Sequence, residues 1–125
     1  MLFVVLAAVV NVTVGPGLSF SPNPVGINVG DSVQWNWVGA AHSSTSSASS
    51  TLEVWDSGVQ TTGSFSHTFT HSGTFGYFCT LHGIAMSGSV QVSAPAPAVV
   101  PAMSPRALIL FGLLLASIGA MVIRR

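Results

Sequence analysis

Two stretches of this chain alternate apolar and polar residues without a break. In Val33-Gln34-Trp35-Asn36-Trp37 the valine and both tryptophans fall on one face and the two amides on the other, and Phe65, His67 and Phe69 share a face in the same way. A period of two marks a half-buried strand, because successive side chains of an extended backbone point to opposite faces. Further short runs rich in β-branched and aromatic residues, at 10–14, 25–29, 74–78 and 88–92, read as strands too. Gly15-Pro16-Gly17, Ser21-Pro22-Asn23-Pro24, Gly30-Asp31 and Ser72-Gly73 supply the turns. No helical period appears before residue 106. Short strands at this spacing predict an all-β sandwich or barrel.

The chain changes character towards its ends. Residues 94–105, APAPAVVPAMSP, carry four prolines in twelve and predict an extended, polyproline-like linker. Residues 107–123 are seventeen residues without a charge and with only Ser117 polar. As a helix they would span roughly 26 Å, close to a bilayer's hydrocarbon core, and Arg106, Arg124 and Arg125 bracket them in positions to snorkel. We therefore expect residues 106–125 to form one C-terminal transmembrane helix, in which Gly112, Ala116 and Ala120 make a small-residue face. Two terminal arginines against one point the C-terminus to the cytoplasm and the body to the periplasm or cell surface. Residues 1–9 read as a truncated or atypical export signal, with the alternative that Val9 to Val14 begin the first strand. The segment SSTSSASST, 43–51, reads as a small-polar loop with nothing to bury.

Only 5% of residues are charged, against a usual share of about 25%. Asp31, Glu53 and Asp56 lie in the body, Arg106, Arg124 and Arg125 in the tail, and there is no lysine. The formal net charge of zero thus splits into a body of −3, from three acids and no fixed cation, and a basic tail. A body without lysine or arginine releases no counterions from a phosphate backbone, which excludes nucleic-acid binding. The single cysteine, Cys79, excludes an intramolecular disulfide. No nucleophile elbow or paired H-x-H motif supports an enzyme.

The chemistry is concentrated in YFCTLHGIAMSGSVQV, 77–92, where a thiol, an imidazole and a thioether arrive at Cys79, His82 and Met86. Soft sulfur with imidazole suits copper, and two histidines, one cysteine and a weak axial methionine define the blue-copper site. His42, which follows the strand VQWNWV and opens a loop, is the candidate for the second imidazole. His67 and His71 read as satisfied or exposed histidines and not as ligands, and Trp35, Trp37, Trp55, Phe75 and Tyr77 as core.

From about Gly17 to Ser93 the sequence resembles the cupredoxins, in the plastocyanin, amicyanin and halocyanin-like branch. The resemblance is carried by FSPNPVGINVGDSVQWNW (20–37), by His42, by VWDSGVQTTGSFSHTFTHSGTFGYFC (54–79) and by C-x2-H-x3-M. It implies a Greek-key cupredoxin β-sandwich over residues 10–93. It also implies one type 1 copper ion bound by His42, Cys79, His82 and Met86, cycling between Cu(I) and Cu(II). Electrons would pass through the exposed edge of His82, ringed by Leu81, Gly83, Ile84 and Ala85, to redox partner proteins held by weak, transient contact with little electrostatic steering. Three residues separate His82 from Met86, where plastocyanins have four and amicyanin two. Ser43 stands where plastocyanins carry asparagine, so weaker fastening between the ligand loops is expected. In the tail, Val100-Pro101-Ala102-Met103-Ser104 resembles the box of a bacterial surface-protein sorting signal. Two further readings stand beside electron transfer: an extracytoplasmic copper storage or delivery protein, and an adhesive β-sandwich without metal.

Overall fold

The computed structural model describes residues 6–95, so most of the expected export signal, nearly all of the linker and the whole hydrophobic tail lie outside the described residues. Within them the strands are β1 (Val9–Val14), β2 (Phe20–Ser21), β3 (Val25–Asn28), β4 (Ser32–Trp37), β5 (Thr45–Ser46), β6 (Ser64–Thr68), β7 (Gly73–Cys79) and β8 (Gly83–Ser93). They form two four-stranded sheets, ordered β2-β1-β4-β6 and β3-β8-β7-β5. No helix occurs among the described residues.

The alternation read from the sequence is what closes the core. In β4 Val33, Trp35 and Trp37 are buried while Gln34 and Asn36 face outward, where the Gln34 and Asn36 amides join Asn11 of β1 in a hydrogen-bonded row. β1 runs parallel to β4, pairing Val12 with Trp35, and β6 runs antiparallel to it, pairing Trp35 with Phe65. Trp35 is fully buried and stacks on Trp55 at 5.5 Å, with Tyr77 of the other sheet edge-on at 5.4 Å. Each such ring contributes about 1.5–3 kcal/mol through burial, and the packed pairs add to it. The same burial pushes the Tyr77 hydroxyl up to about 12. Between β7 and β8 the Tyr77 ring lies over Gly88, where a Cβ would stand 2.7 Å from the phenol oxygen.

Two features depart from the sequence reading, and a third matches its alternative for residues 9–14. β8 runs eleven residues, well beyond the expected 88–92, because its first part pairs beside the end of β7 although Gly83 to Met86 lack alternation. The serine-rich segment 43–51 is packed: Ser43 and Ser44 are fully buried, and Thr45–Ser46 form a short strand on β7. Its hydroxyls replace apolar groups as glue, with Ser46 Oγ donating to the Trp55 carbonyl at 3.1 Å and Ser44 Oγ accepting from the Trp55 indole N–H at 3.0 Å. Finally, the first strand begins at Val9. Ala8 N–H donates to Asp31 Oδ1 at 2.9 Å and Asn28 N–H to Oδ2 at 3.0 Å, fastening the incoming chain to the β3–β4 turn. Those two backbone donors hold the Asp31 carboxyl below the usual carboxylate range.

Candidate metal centre

His42 reaches the site from a turn five residues beyond β4. Ala40 sits there in the left-handed region at φ 63°, and the Trp37 indole N–H donates to the His42 carbonyl at 2.8 Å, fixing the loop on the core. His42 is 1% exposed. Its Nε2 faces the Pro16 carbonyl at 3.4 Å, which orients the ring and leaves Nδ1 as the donor. The ring fits only because residue 15 is glycine. A Cβ on Gly15, whose φ is 78°, would lie 3.1 Å from two ring atoms of His42 and 2.8 Å from the Gly39 carbonyl.

Cys79 ends β7 with its sulfur fully buried, and His82 stands exposed in the connection that follows. His82 Nδ1 is 3.3 Å from Cys79 Sγ and 3.3 Å from His42 Nδ1, and Cys79 Sγ is 3.9 Å from His42 Nδ1. Donors about 2.0–2.3 Å from one ion in a trigonal plane lie roughly 3.5–3.9 Å from each other, so this triangle fits a single soft or borderline metal. Met86 is fully buried. Cys79 pairs with Gly83 and Phe78 with Ser87, so Ile84, Ala85 and Met86 bulge from the ladder; Met86 turns inward while Ile84 is 90% exposed. The x3 spacing is thus absorbed by a bulge.

The expected weak fastening of the ligand loops is not what the structure shows. Ser43 Oγ accepts from Thr80 N–H at 2.9 Å and shares hydrogen bonds with the Thr80 and Thr45 hydroxyls at 3.1 and 2.9 Å. Ser43 N–H also points at Cys79 Sγ, 3.4 Å away. A serine therefore ties the His42 loop to the residue after Cys79. A hydroxyl between two loops has no signature of its own in a single sequence.

His67 and His71 stay away from this centre, as expected, and bind an acid. The His67 Nε2–H donates to Glu53 Oε1 at 2.8 Å, His71 Nδ1 bonds Oε2, and Thr70 N–H donates to Oε2 at 3.3 Å. Glu53 is 3% exposed. Burial raises its pKa, but the bonds from His71, His67 and Thr70 outweigh burial and hold it below its ordinary 4.5. One sequence feature points to this placement: Glu53 has the parity of Trp55, and it lies on the core side between outward Leu52 and Val54.

A buried thiol, two imidazoles at trigonal separations and an inward methionine at one end of a two-sheet sandwich define a copper-binding domain of the blue-copper type. Residues 7–93 match the model of the copper binding proteins of the plastocyanin/azurin family, and the chain belongs to that family. Its cofactor is copper. Among solved structures it is similar to a variant of amicyanin in its reduced state, at 27% identity and TM-score 0.58, covering 67% of this chain and 81% of that one. A purple cupredoxin from Nitrosopumilus maritimus shares the fold at 24% identity and TM-score 0.58, covering 67% of this chain and 99% of that one. So does a copper-containing nitrite reductase from Thermus scotoductus, at 23% identity and TM-score 0.59, with 70% of this chain covering 23% of that chain. No curated protein is similar enough to be matched to it.

Proposed function

We propose that this chain is a type 1 copper protein that carries single electrons, with one copper ion held by His42, Cys79, His82 and Met86. The observation that carries the reading is the triangle of Nδ1, Nδ1 and Sγ at 3.3, 3.3 and 3.9 Å, with Met86 buried on β8. Copper supplies the one-electron change, Cu(I) to Cu(II). The protein's work is to keep the donors still while that happens. His42 is locked by Gly15, Pro16 and Trp37, and the Cys79 sulfur receives the Ser43 N–H, which tunes its electron density. Four protein donors would leave the ion no open position for a substrate, so an electron would pass through a ligand edge. The exposed ligand is His82, beside Leu81 and Ile84, 55% and 90% exposed. This aliphatic rim supports brief docking of a redox partner by a small apolar contact.

Adding Cu(II) to the purified protein tests the reading by visible spectroscopy and EPR. An intense thiolate charge-transfer band that disappears in Cys79→Ser is expected. A colourless protein that takes up only Cu(I) would sink electron transfer and favour storage or delivery, and no metal binding would leave adhesion. We further propose that the domain is exported and held to a membrane by residues 106–125, on the strength of the apolar run bracketed by Arg106 and Arg124-Arg125. Intact-mass measurement of the mature protein is expected to retain the tail; its loss would show a processed sorting signal.

A further inference from the structure

His42 and the two serines after it lie outside both sheets, yet all three are buried. Besides the tie from Ser43 to Thr80, they are held by residues 55–60, which run antiparallel beside 42–46. His42 and Gln60 exchange both of their backbone bonds, at 3.0 and 2.9 Å. Ser57 N–H donates to the Ser44 carbonyl at 3.0 Å, and Ser57 Oγ accepts the Ser44 N–H at 2.8 Å. The Trp55 indole N–H donates to Ser44 Oγ at 3.0 Å. Trp55 is itself fixed by its stack on Trp35 at 5.5 Å and by Ser46 N–H, which donates to its carbonyl at 2.9 Å.

Ser43 stands between these anchored residues, and its N–H is the one aimed at Cys79 Sγ, 3.4 Å away. A hydrogen bond weakens steeply as its angle closes, so the orientation of the His42–Ser43 peptide decides how well this one is made. That peptide is gripped at His42 by Gln60 and beyond Ser43 by the three bonds to Ser44. The N–H dipole turns its positive end to the sulfur and so favours the reduced centre, which carries one electron more.

We propose that Trp55 is a positioning residue for the metal centre: acting through Ser44, its indole N–H keeps the Ser43 amide on the Cys79 sulfur and thereby raises the reduction potential. Residues 55–60 form a splint for the His42 loop, and every bond named in it runs between groups of this chain, so it stands before an ion is bound. The proposal rests on the type 1 copper reading, and the test separates the two.

Ser44→Ala removes the acceptor of the indole bond and Trp55→Phe its donor, while the phenyl ring keeps an aromatic group in the core. In copper-loaded protein both are expected to lower the reduction potential and to move the thiolate charge-transfer band to longer wavelength. The double variant is expected to shift them no further than the larger single change, because both substitutions break one bond. Val92→Ala, a core truncation where β8 pairs with the start of β7, is expected to destabilise the fold and leave potential and band in place. Unchanged potentials in Ser44→Ala and Trp55→Phe, additive shifts, or an equal shift in Val92→Ala would overturn the positioning role and leave the copper reading intact. A second readout needs no copper. In the metal-free protein, Ser43 amide exchange with deuterium, taken relative to the amides of β4, is expected to be several-fold faster in Ser44→Ala and Trp55→Phe and unchanged in Val92→Ala. If the unaltered protein gives no thiolate band with Cu(II), the electron-carrier reading falls and this exchange decides the splint by itself. Equal relative exchange in all these proteins would overturn it.

Discussion

Ser43 carries more of the metal centre than its size suggests. Its backbone N–H faces the cysteine sulfur, and its hydroxyl takes the Thr80 N–H, so one residue sets both the sulfur's hydrogen bonding and the spacing of the two ligand loops. Ser43→Ala keeps the first bond and deletes the second. We expect a loss of about 1 kcal/mol in urea unfolding of the metal-free protein, together with weaker copper retention in a chelator competition. Unchanged copper retention would show that the loops do not need this tie. The ligands themselves were legible because cysteine, histidine and methionine have few other reasons to meet in C-x2-H-x3-M, and because His42 follows a strand whose parity is plain. Ser43 is not legible in this way, because beside plastocyanins it looks like a lost asparagine while its hydroxyl makes the tie. A hydroxyl's value depends on which backbone donor stands opposite it, and that is decided by the fold.

At the level of elements, the clasp between the 50–55 segment and the β6–β7 corner depends on one carboxylate. Glu53 is held below its ordinary 4.5 in the folded chain. A carboxyl with a depressed folded value contributes stability above its unfolded pKa and loses it as pH falls through the folded one. Urea unfolding at successive pH values should therefore show Glu53→Gln less stable than the parent by about 1–3 kcal/mol near neutrality. The gap should close as the solution is acidified below 4.5. A gap independent of pH would mean that the clasp works by shape and not by charge. The period-two runs announced β4 and β6, because these strands have one wet and one dry face. β5 was hidden, since two residues of a serine-rich segment carry no apolar pattern and gain their place from hydroxyl bonds to Trp55 and Asp56. The early part of β8 was hidden too, because a bulge destroys the alternation by which a strand is read.

For the whole molecule, the distribution of charge governs how it meets others. Asp31 is bound to two backbone amides, Glu53 to two histidines, and Asp56 accepts from Thr45 and Gly58, so all three acids of the described residues are engaged. With no lysine or arginine among them, there is little charge with which to steer a partner from a distance. Electron-transfer rates with a redox partner should vary little with ionic strength, and a steep salt dependence would contradict docking by the apolar rim at His82. Confinement near the partner would then do what long-range attraction does elsewhere.

β8 has a further consequence, a mechanical one. It lies between β3, to which it runs parallel, and β7, to which it runs antiparallel, and its last residue, Ser93, is where the chain leaves the sandwich. A pull applied at Ser93 along β8 acts on an interior strand. It must slide two ladders of hydrogen bonds at once, where an edge strand such as β6 would peel one rung at a time. The strand that bears Met86 is thus also the one that takes the load, and tension strong enough to unseat it would displace that thioether along with the fold.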